Sequence, residues 1–402
     1  MLIGKRAGPK LLGWPNVFAL VCVLLALGAC AGHARLAAVP AKQTGRASIP
    51  GFASARIFAN DTAGFVAQFE QMRGREARYY RSIGRPLPPE NVLALSGGGD
   101  DAAFGAGLLV GLSESGKRPS FNVVTGISAG GLVAPFAFLG PEYDPVLKNL
   151  FANLHQNDIY NKRPILTAFV SDAMTDTAPL KRLIATYLDE RLVERIAQEY
   201  RRGRGLFIIS TDLDAGLPVV WNIGAIAESG RPQATALIRQ ILLASAAIPA
   251  EFPPVMFNVT VDGVAHQEMH VDGGAMNQTF LYPPAFPVGK LDTAVERGRT
   301  HTAYIIRNGR LREDWSEVER STLSIAVRAV ETLTTSSGVG DLYTIYALTK
   351  RDGFRFRLAF INDDFVHPHP DEFDHDYMTK LFDYARAKAH RDNVWQTAPP
   401  GF

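Results

Sequence analysis

Three short strings carry the side chains of this sequence that are able to do chemistry. Ser96-Gly97-Gly98-Gly99 follows one strand-like run, Gly126-Ile127-Ser128-Ala129-Gly130 follows another, and Asp272-Gly273-Gly274 lies far downstream. A serine hydroxyl becomes a nucleophile only when a base takes its proton. The charge it then places on a carbonyl oxygen needs hydrogen-bond donors. The strings supply each part: Ser128 as nucleophile, Asp272 as base, and the N–H groups of Gly97, Gly98 and Gly99 as an oxyanion hole. The chemistry implied is acyl transfer through a serine.

In Gly126-x-Ser128-x-Gly130 the serine occupies a tight elbow between a strand and a helix, and the flanking glycines keep side chains out of the crowded turn. The hydroxyl is expected at a helix N-terminus, whose partial positive charge favours an alkoxide. The Gly97–Gly99 run likewise leaves a strand and opens a helix, so its N–H groups form an anion-binding nest. A nucleotide phosphate site is disfavoured: no Lys-Ser/Thr follows the glycines, and there is no G-x-G-x-x-G with a later ribose acid. Gly105 and Gly107 fit close helix packing instead.

The elements that must hold these turns alternate between strand and helix. Helices are predicted over 60–83, 102–114, from Leu132 onward, 179–202 (one long amphipathic helix), 234–247, 321–350 and 371–392. Strands are predicted over 92–95, 122–125, 206–210, 218–222, 303–307 and 354–361. A hairpin, 255–261 with 265–271, turns at Asp262-Gly263. Strands separated by helices specify a three-layer α/β/α architecture with a mostly parallel central sheet, and ligands of such sheets bind at the carboxyl ends of the strands. Two of the three strings sit there.

The first residues are set apart. Lys5, Arg6 and Lys10 precede an apolar run from Val17 to Leu27, and Leu27-Gly28-Ala29-Cys30 follows. This reads as a secretory signal over 1–29. The Leu-Gly-Ala-Cys string resembles the lipobox of bacterial lipoproteins, which implies a lipidated Cys30 holding the protein to a membrane of the cell envelope. Ordinary cleavage near Ala29 with an unmodified thiol is the alternative. Residues 30–56, rich in Ala, Gly, Pro and Ser, are then expected to be a tether, with the folded domain spanning 57–402. The chain has 2 cysteines, Cys22 and Cys30, so the domain has no disulfide, no cysteine nucleophile and no cysteine metal site. With 47% hydrophobic residues, a chain of this length is able to build its own core. Losing Lys5, Arg6 and Lys10 leaves 39 basic against 40 acidic residues, which gives nucleic acid nothing to bind.

From Asn91 to about Gly274 these residues resemble the patatin-like phospholipase family, whose pattern is a glycine-rich oxyanion loop, a G-x-S-x-G elbow and a D-G-G or D-G-A aspartate. A fourth segment, Ala244-Ser245-Ala246-Ala247-Ile248-Pro249 running into Phe252-Pro253-Pro254-Val255, is similar to the family's pocket segment. The resemblance implies a Ser128–Asp272 dyad without histidine, a lipid acyl ester as substrate, an acyl-enzyme intermediate, and no cofactor or metal. One departure stands out. Where the family carries Arg or Lys after the triple glycine, this chain has Asp100-Asp101-Ala102, and these acids are expected to cap the following helix.

His270, two residues before Asp272, is a rival base for Ser128, although the order of residues differs from that of α/β-hydrolase triads. His367, His369 and His375 stand among Asp363, Asp364, Asp371, Asp374 and Asp376, where a solvated loop and a helix start are favoured over a metal site. Three functions are carried forward: an envelope phospholipase or lysophospholipase, an acyltransferase or thioesterase on the same dyad, and a catalytically inactive envelope binding protein.

Overall fold

The computed structural model describes residues 35–163, 171–291, 298–312 and 315–402. The signal segment, Cys22 and Cys30 lie outside them. A nine-stranded mixed sheet is covered by helices on both faces. Its strands are β1 (Arg56–Phe58), β2 (Glu90–Leu95), β3 (Val123–Ile127), β4 (Gly205–Asp212), β5 (Leu217–Asn222), β6 (Val255–Val261), β7 (Val264–Asp272), β8 (His301–Ile306) and β9 (Arg355–Ala359). The order across the sheet is β1-β5-β4-β3-β2-β8-β9. The run β4-β3-β2-β8-β9 is parallel throughout, while β5 and β1 are antiparallel additions at one edge.

The central strands are buried on both sides, as their unbroken apolar runs require. Alternate residues feed two cores: Leu93 and Leu95 of β2 pack into one, Val92 and Ala94 into the other. On the first face lie α2 (Ala102–Glu114), α3 (Ala129–Leu139), α4 (Asp144–Asn153), α8 (Ala234–Ser245) and α10 (His375–Ala389). On the second lie α1 (Thr62–Ser82) and the later half of α9 (Thr322–Asp352). α2 is buried nearly all round, and its glycines allow α10 to approach it closely. A Cβ on Gly107 would sit 2.2 Å from the Phe382 carbonyl oxygen, and one on Gly111 would sit 2.4 Å from that of Arg386.

Two expectations are corrected. The long helix over 179–202 is two helices, α5 (Ala178–Tyr187) and α6 (Glu190–Arg201). Between them Asp189 is extended, and its carboxylate accepts the Leu192 N–H at 2.8 Å, which starts a new helix within one amphipathic pattern. The stretch expected to be a tether is packed on the body over its described part. Ile49 and Phe52 are buried, Ser48 exchanges backbone hydrogen bonds with Thr260, and Arg35 pairs with Asp214. The composition suggested a spacer, but two apolar side chains suffice to dock it. α7 (Ile223–Glu228) completes the helices needed below. Among the described residues no helix is long and apolar enough to cross a membrane.

Candidate active site

The sheet brings two of the three strings together by a simple device. β3 runs parallel to β4 and ends with Ile127 opposite Ile209. β7 runs antiparallel to β4 along the same edge, and its last residue, Asp272, stands opposite Ser210. Two strands from distant parts of the chain thus arrive head-on at consecutive positions of one neighbour. Ser128 follows one, and Asp272 ends the other.

The elbow has the geometry its glycines foretold. Ser128 has φ +54°, a conformation that few residues with a side chain adopt. A Cβ on Gly126 would lie 2.7 Å from the Gly130 carbonyl oxygen, and one on Gly130 would lie 2.3 Å from that of Ser96. The strained turn is clamped by Ser245, whose hydroxyl accepts the Ser128 N–H at 3.0 Å and donates to the Ile209 carbonyl at 2.6 Å. Two residues on, the Ala247 carbonyl accepts the Asp272 N–H at 2.8 Å. The 244–249 segment therefore holds the backbones of both candidate residues.

Asp272 is buried. Its Oδ1 accepts the Gly274 N–H at 2.6 Å, while Oδ2 has no hydrogen bond of standard geometry. Burial pushes its pKa up to about 7, against the nearby Ser128 hydroxyl and the Gly274 N–H, which both favour the charged form. A carboxyl held there accepts a proton far more readily than a free one. Glu251, in the loop after α8, is pushed up to about 8 by burial and by the adjacent carboxylates of Glu372 and Asp272.

The glycine loop passes beside the elbow, with a Cβ on Gly97 placed 3.2 Å from the Ser128 Cβ. Gly98 has φ +153°, and a side chain there would meet the Asn308 carbonyl oxygen at 2.0 Å; Gly99 has φ +56° and faces open space. Of the three N–H groups expected to converge, that of Gly97 is already given to the Gln278 carbonyl at 3.0 Å. Among the described residues, those of Gly98 and Gly99 meet no protein acceptor.

The two acids after the glycines do not cap α2. Asp100 is buried and accepts hydrogen bonds from His369 Nε2 and the Phe373 N–H, each at 2.7 Å, and Asp101 accepts the Tyr377 hydroxyl at 2.6 Å. They fasten the glycine loop to the segment before α10 and to the first turn of that helix. His270 is not available to Ser128: its Nδ1 bonds Ser210 Oγ at 2.9 Å, its Nε2 faces Glu268 at 3.3 Å, and its ring is packed by Trp221 and Phe257.

The three C-terminal histidines are dispersed, His369 to Asp100, His367 to Asp376 at 3.2 Å and His375 to the Leu154 carbonyl at 3.2 Å. A different trio, Asp212, Glu268 and His270, has ligand atoms within 4.8 Å of one another. Arg56 occupies both oxygens of Glu268, however. Burial favours the neutral acid, but Arg56 and His270 outweigh it and hold Glu268 at about 2. The trio is an ion-pair network already closed by a cation.

Several residues that position the site carried no motif. Asp341 of α9 accepts the Gln278 N–H at 2.7 Å, the Thr279 N–H at 3.0 Å and Asn277 Nδ2 at 3.0 Å, fixing the turn after Asp272-Gly-Gly. Gln278 in turn donates through Nε2 to the Gly274 carbonyl at 2.9 Å. Asn308, just beyond β8, donates through Nδ2 to the Ser96 carbonyl at 2.8 Å and accepts the Gly105 N–H at 3.0 Å. Asp341 and Asn308 are lone polar residues whose partners are distant in sequence, so only the exit of a strand or the anchoring of a helix would have hinted at them.

Residues 93–284 match the family model of patatin-like phospholipases. No curated protein sequence matches the chain. Among solved structures, VipD from Legionella pneumophila is similar over 77% of this chain and 68% of its own, at 13% identity and a TM-score of 0.32. The type III effector protein ExoU is similar over 76% of this chain at 14% identity and a TM-score of 0.21; this chain spans about half of its length (53%). Scores this low carry no argument beyond the family match.

Proposed function

We propose that the patatin-like phospholipase domain of this chain hydrolyses acyl esters of phospholipids or lysophospholipids through a Ser128–Asp272 dyad and an acyl-enzyme. Support comes above all from the head-on meeting of β3 and β7, which sets Ser128 beside a buried carboxyl with one oxygen uncommitted. Asp272 takes the Ser128 proton as the serine oxygen attacks the ester carbonyl, and the N–H groups of Gly98 and Gly99 receive the oxyanion. The carbon–oxygen bond to the alcohol breaks, Asp272 returns the proton to the leaving oxygen, and the acyl group stays on Ser128. Asp272 then takes a proton from water, whose oxygen attacks the acyl carbonyl; the bond to Ser128 Oγ breaks, Asp272 returns the proton to that oxygen, and the fatty acid leaves. Gly97 acts in this scheme only through its backbone path, since its N–H belongs to Gln278. Gly126 and Gly130 keep the elbow tight.

The test is product analysis by mass spectrometry after incubation with mixed envelope phospholipids. Free fatty acid from the native protein and none from Ser128→Ala or Asp272→Asn is expected. Fatty acid released equally by all three would refute the dyad, and acyl groups appearing only on an added alcohol or thiol would make the protein a transferase. We place the protein in the bacterial cell envelope, anchored by lipid on Cys30. Cys30→Ser should move it from the detergent phase to the aqueous phase on phase partitioning; an unchanged partition would refute the anchor.

A further inference from the structure

An oxyanion hole two residues from a pair of carboxylates is an electrostatic contradiction. Consecutive Cα atoms stand about 3.8 Å apart, so Asp100 and Asp101 are carried close beside the Gly98 and Gly99 N–H groups, where a negative oxygen must form. Like charges at such range oppose each other, and weak solvent screening makes the opposition stronger. Asp100 is buried, so its charge is not dispersed by water.

The loop itself supplies no cation. One arrives from elsewhere in the chain: His369 Nε2 lies 2.7 Å from Asp100 Oδ2, with its ring stacked on Tyr377 at 4.0 Å between centroids and 10° between planes. The stacking fixes the imidazole, and the Phe373 N–H at 2.7 Å fixes the carboxylate it addresses.

The geometry points to His369 as a positioning residue for the proposed reaction, an imidazolium brought from the segment before α10 to neutralise Asp100 and make the adjoining glycine loop fit to receive an oxyanion. This rests on the reading of Gly98 and Gly99 as the donors. The groups facing His369 are Asp100 and Asp101 from the glycine loop, Asp374 from its own segment, and Tyr377 from the first turn of α10. The hydrogen bond to Asp100 leads in raising its pKa, and the charges of Asp100, Asp101 and Asp374 add to it, against partial burial. The hydrogen bond and the surrounding acids thus favour the imidazolium form of His369. Asp101 is pushed up to about 6 by burial and by Asp100, against the Tyr377 hydroxyl, His369 and Arg307.

A tether and a neutralising charge make different predictions. With p-nitrophenyl butyrate as the ester, His369→Gln should lower kcat about tenfold, the order that one uncompensated charge at this range produces, with KM within about twofold. Adding Asp100→Asn to His369→Gln should recover much of that rate, because the amide oxygen still accepts from Phe373 while the charge is gone. A mere tether predicts no recovery. Unchanged kcat in His369→Gln, or a double variant no faster than the single one, would overturn the inference.

NMR titration of His369 in the native protein reads the pair without turnover. A midpoint above that of free histidine, falling in Asp100→Asn, is expected, and an ordinary midpoint would overturn the pairing. Full esterase activity in Ser128→Ala would instead refute the dyad while leaving the titration to decide the pair.

Discussion

Replacing Asp272 with asparagine should make the protein more stable at alkaline pH while abolishing its turnover. Burial holds the Asp272 carboxyl at about 7, whereas an unfolded chain ionises it near the ordinary value of about 3.9. A group raised in the folded state stabilises fully below its unfolded pKa, and that contribution is lost as pH rises through the folded one. The window is thus about pH 4 to 7, with a slope near 1.4 kcal/mol per pH unit, or about 2.5 kcal/mol lost between pH 5 and pH 8. Asparagine has no such dependence. It keeps an acceptor for the Gly274 N–H, so the turn after β7 survives. Glu251 is raised in both proteins by burial and Glu372, and the Asp272 charge adds only its smallest contribution, so the quantity to read is the difference between variant and native, not the slope of either alone. Urea unfolding of both at pH 5 and pH 8 measures it. The difference in unfolding free energy should shift by about 2.5 kcal/mol in favour of the variant at the higher pH. Parallel pH profiles for the two proteins would refute a buried, proton-holding Asp272.

The same carboxyl must be ionised to act as base, so kcat/KM for a soluble ester should fall as pH drops through about 7, and a profile flat from pH 5 to 8 would exclude it. Gly98→Ala brings a Cβ within 2.0 Å of the Asn308 carbonyl oxygen and should destabilise by more than about 2 kcal/mol with loss of activity, measured by thermal unfolding and ester hydrolysis. Gly99→Ala, at φ +56° in open space, should lose only about 1 kcal/mol and retain turnover. Ser245→Ala strands the Ser128 N–H and the Ile209 carbonyl; a loss of about 1–3 kcal/mol and a slower kcat are expected, checked by the same two assays.

What the sequence made legible was whatever is written in local pattern. Helix α2 and the 255–261 strand of the hairpin begin and end where periodicity and turn residues placed them. Ser128 and Asp272 announce themselves through glycines that the backbone cannot do without, and the sheet sets them side by side. What stayed hidden depends on partners far along the chain. Nothing near Gly97 says that its N–H is taken by Gln278, and nothing near Asp100 says that His369 will meet it. The docking of Ile49 and Phe52 was masked by a composition typical of linkers, and the break at Asp189 by an amphipathic pattern that runs through it.

The proposed reaction passes through an acyl group carried on Ser128. Rapid acid quench during turnover of a long-chain ester, followed by mass spectrometry of the peptide containing Ser128, should find that peptide heavier by one acyl group in the native protein and unmodified in Ser128→Ala. Steady release of fatty acid with the peptide unmodified at every time, and with Ser128→Ala equally active, would contradict it.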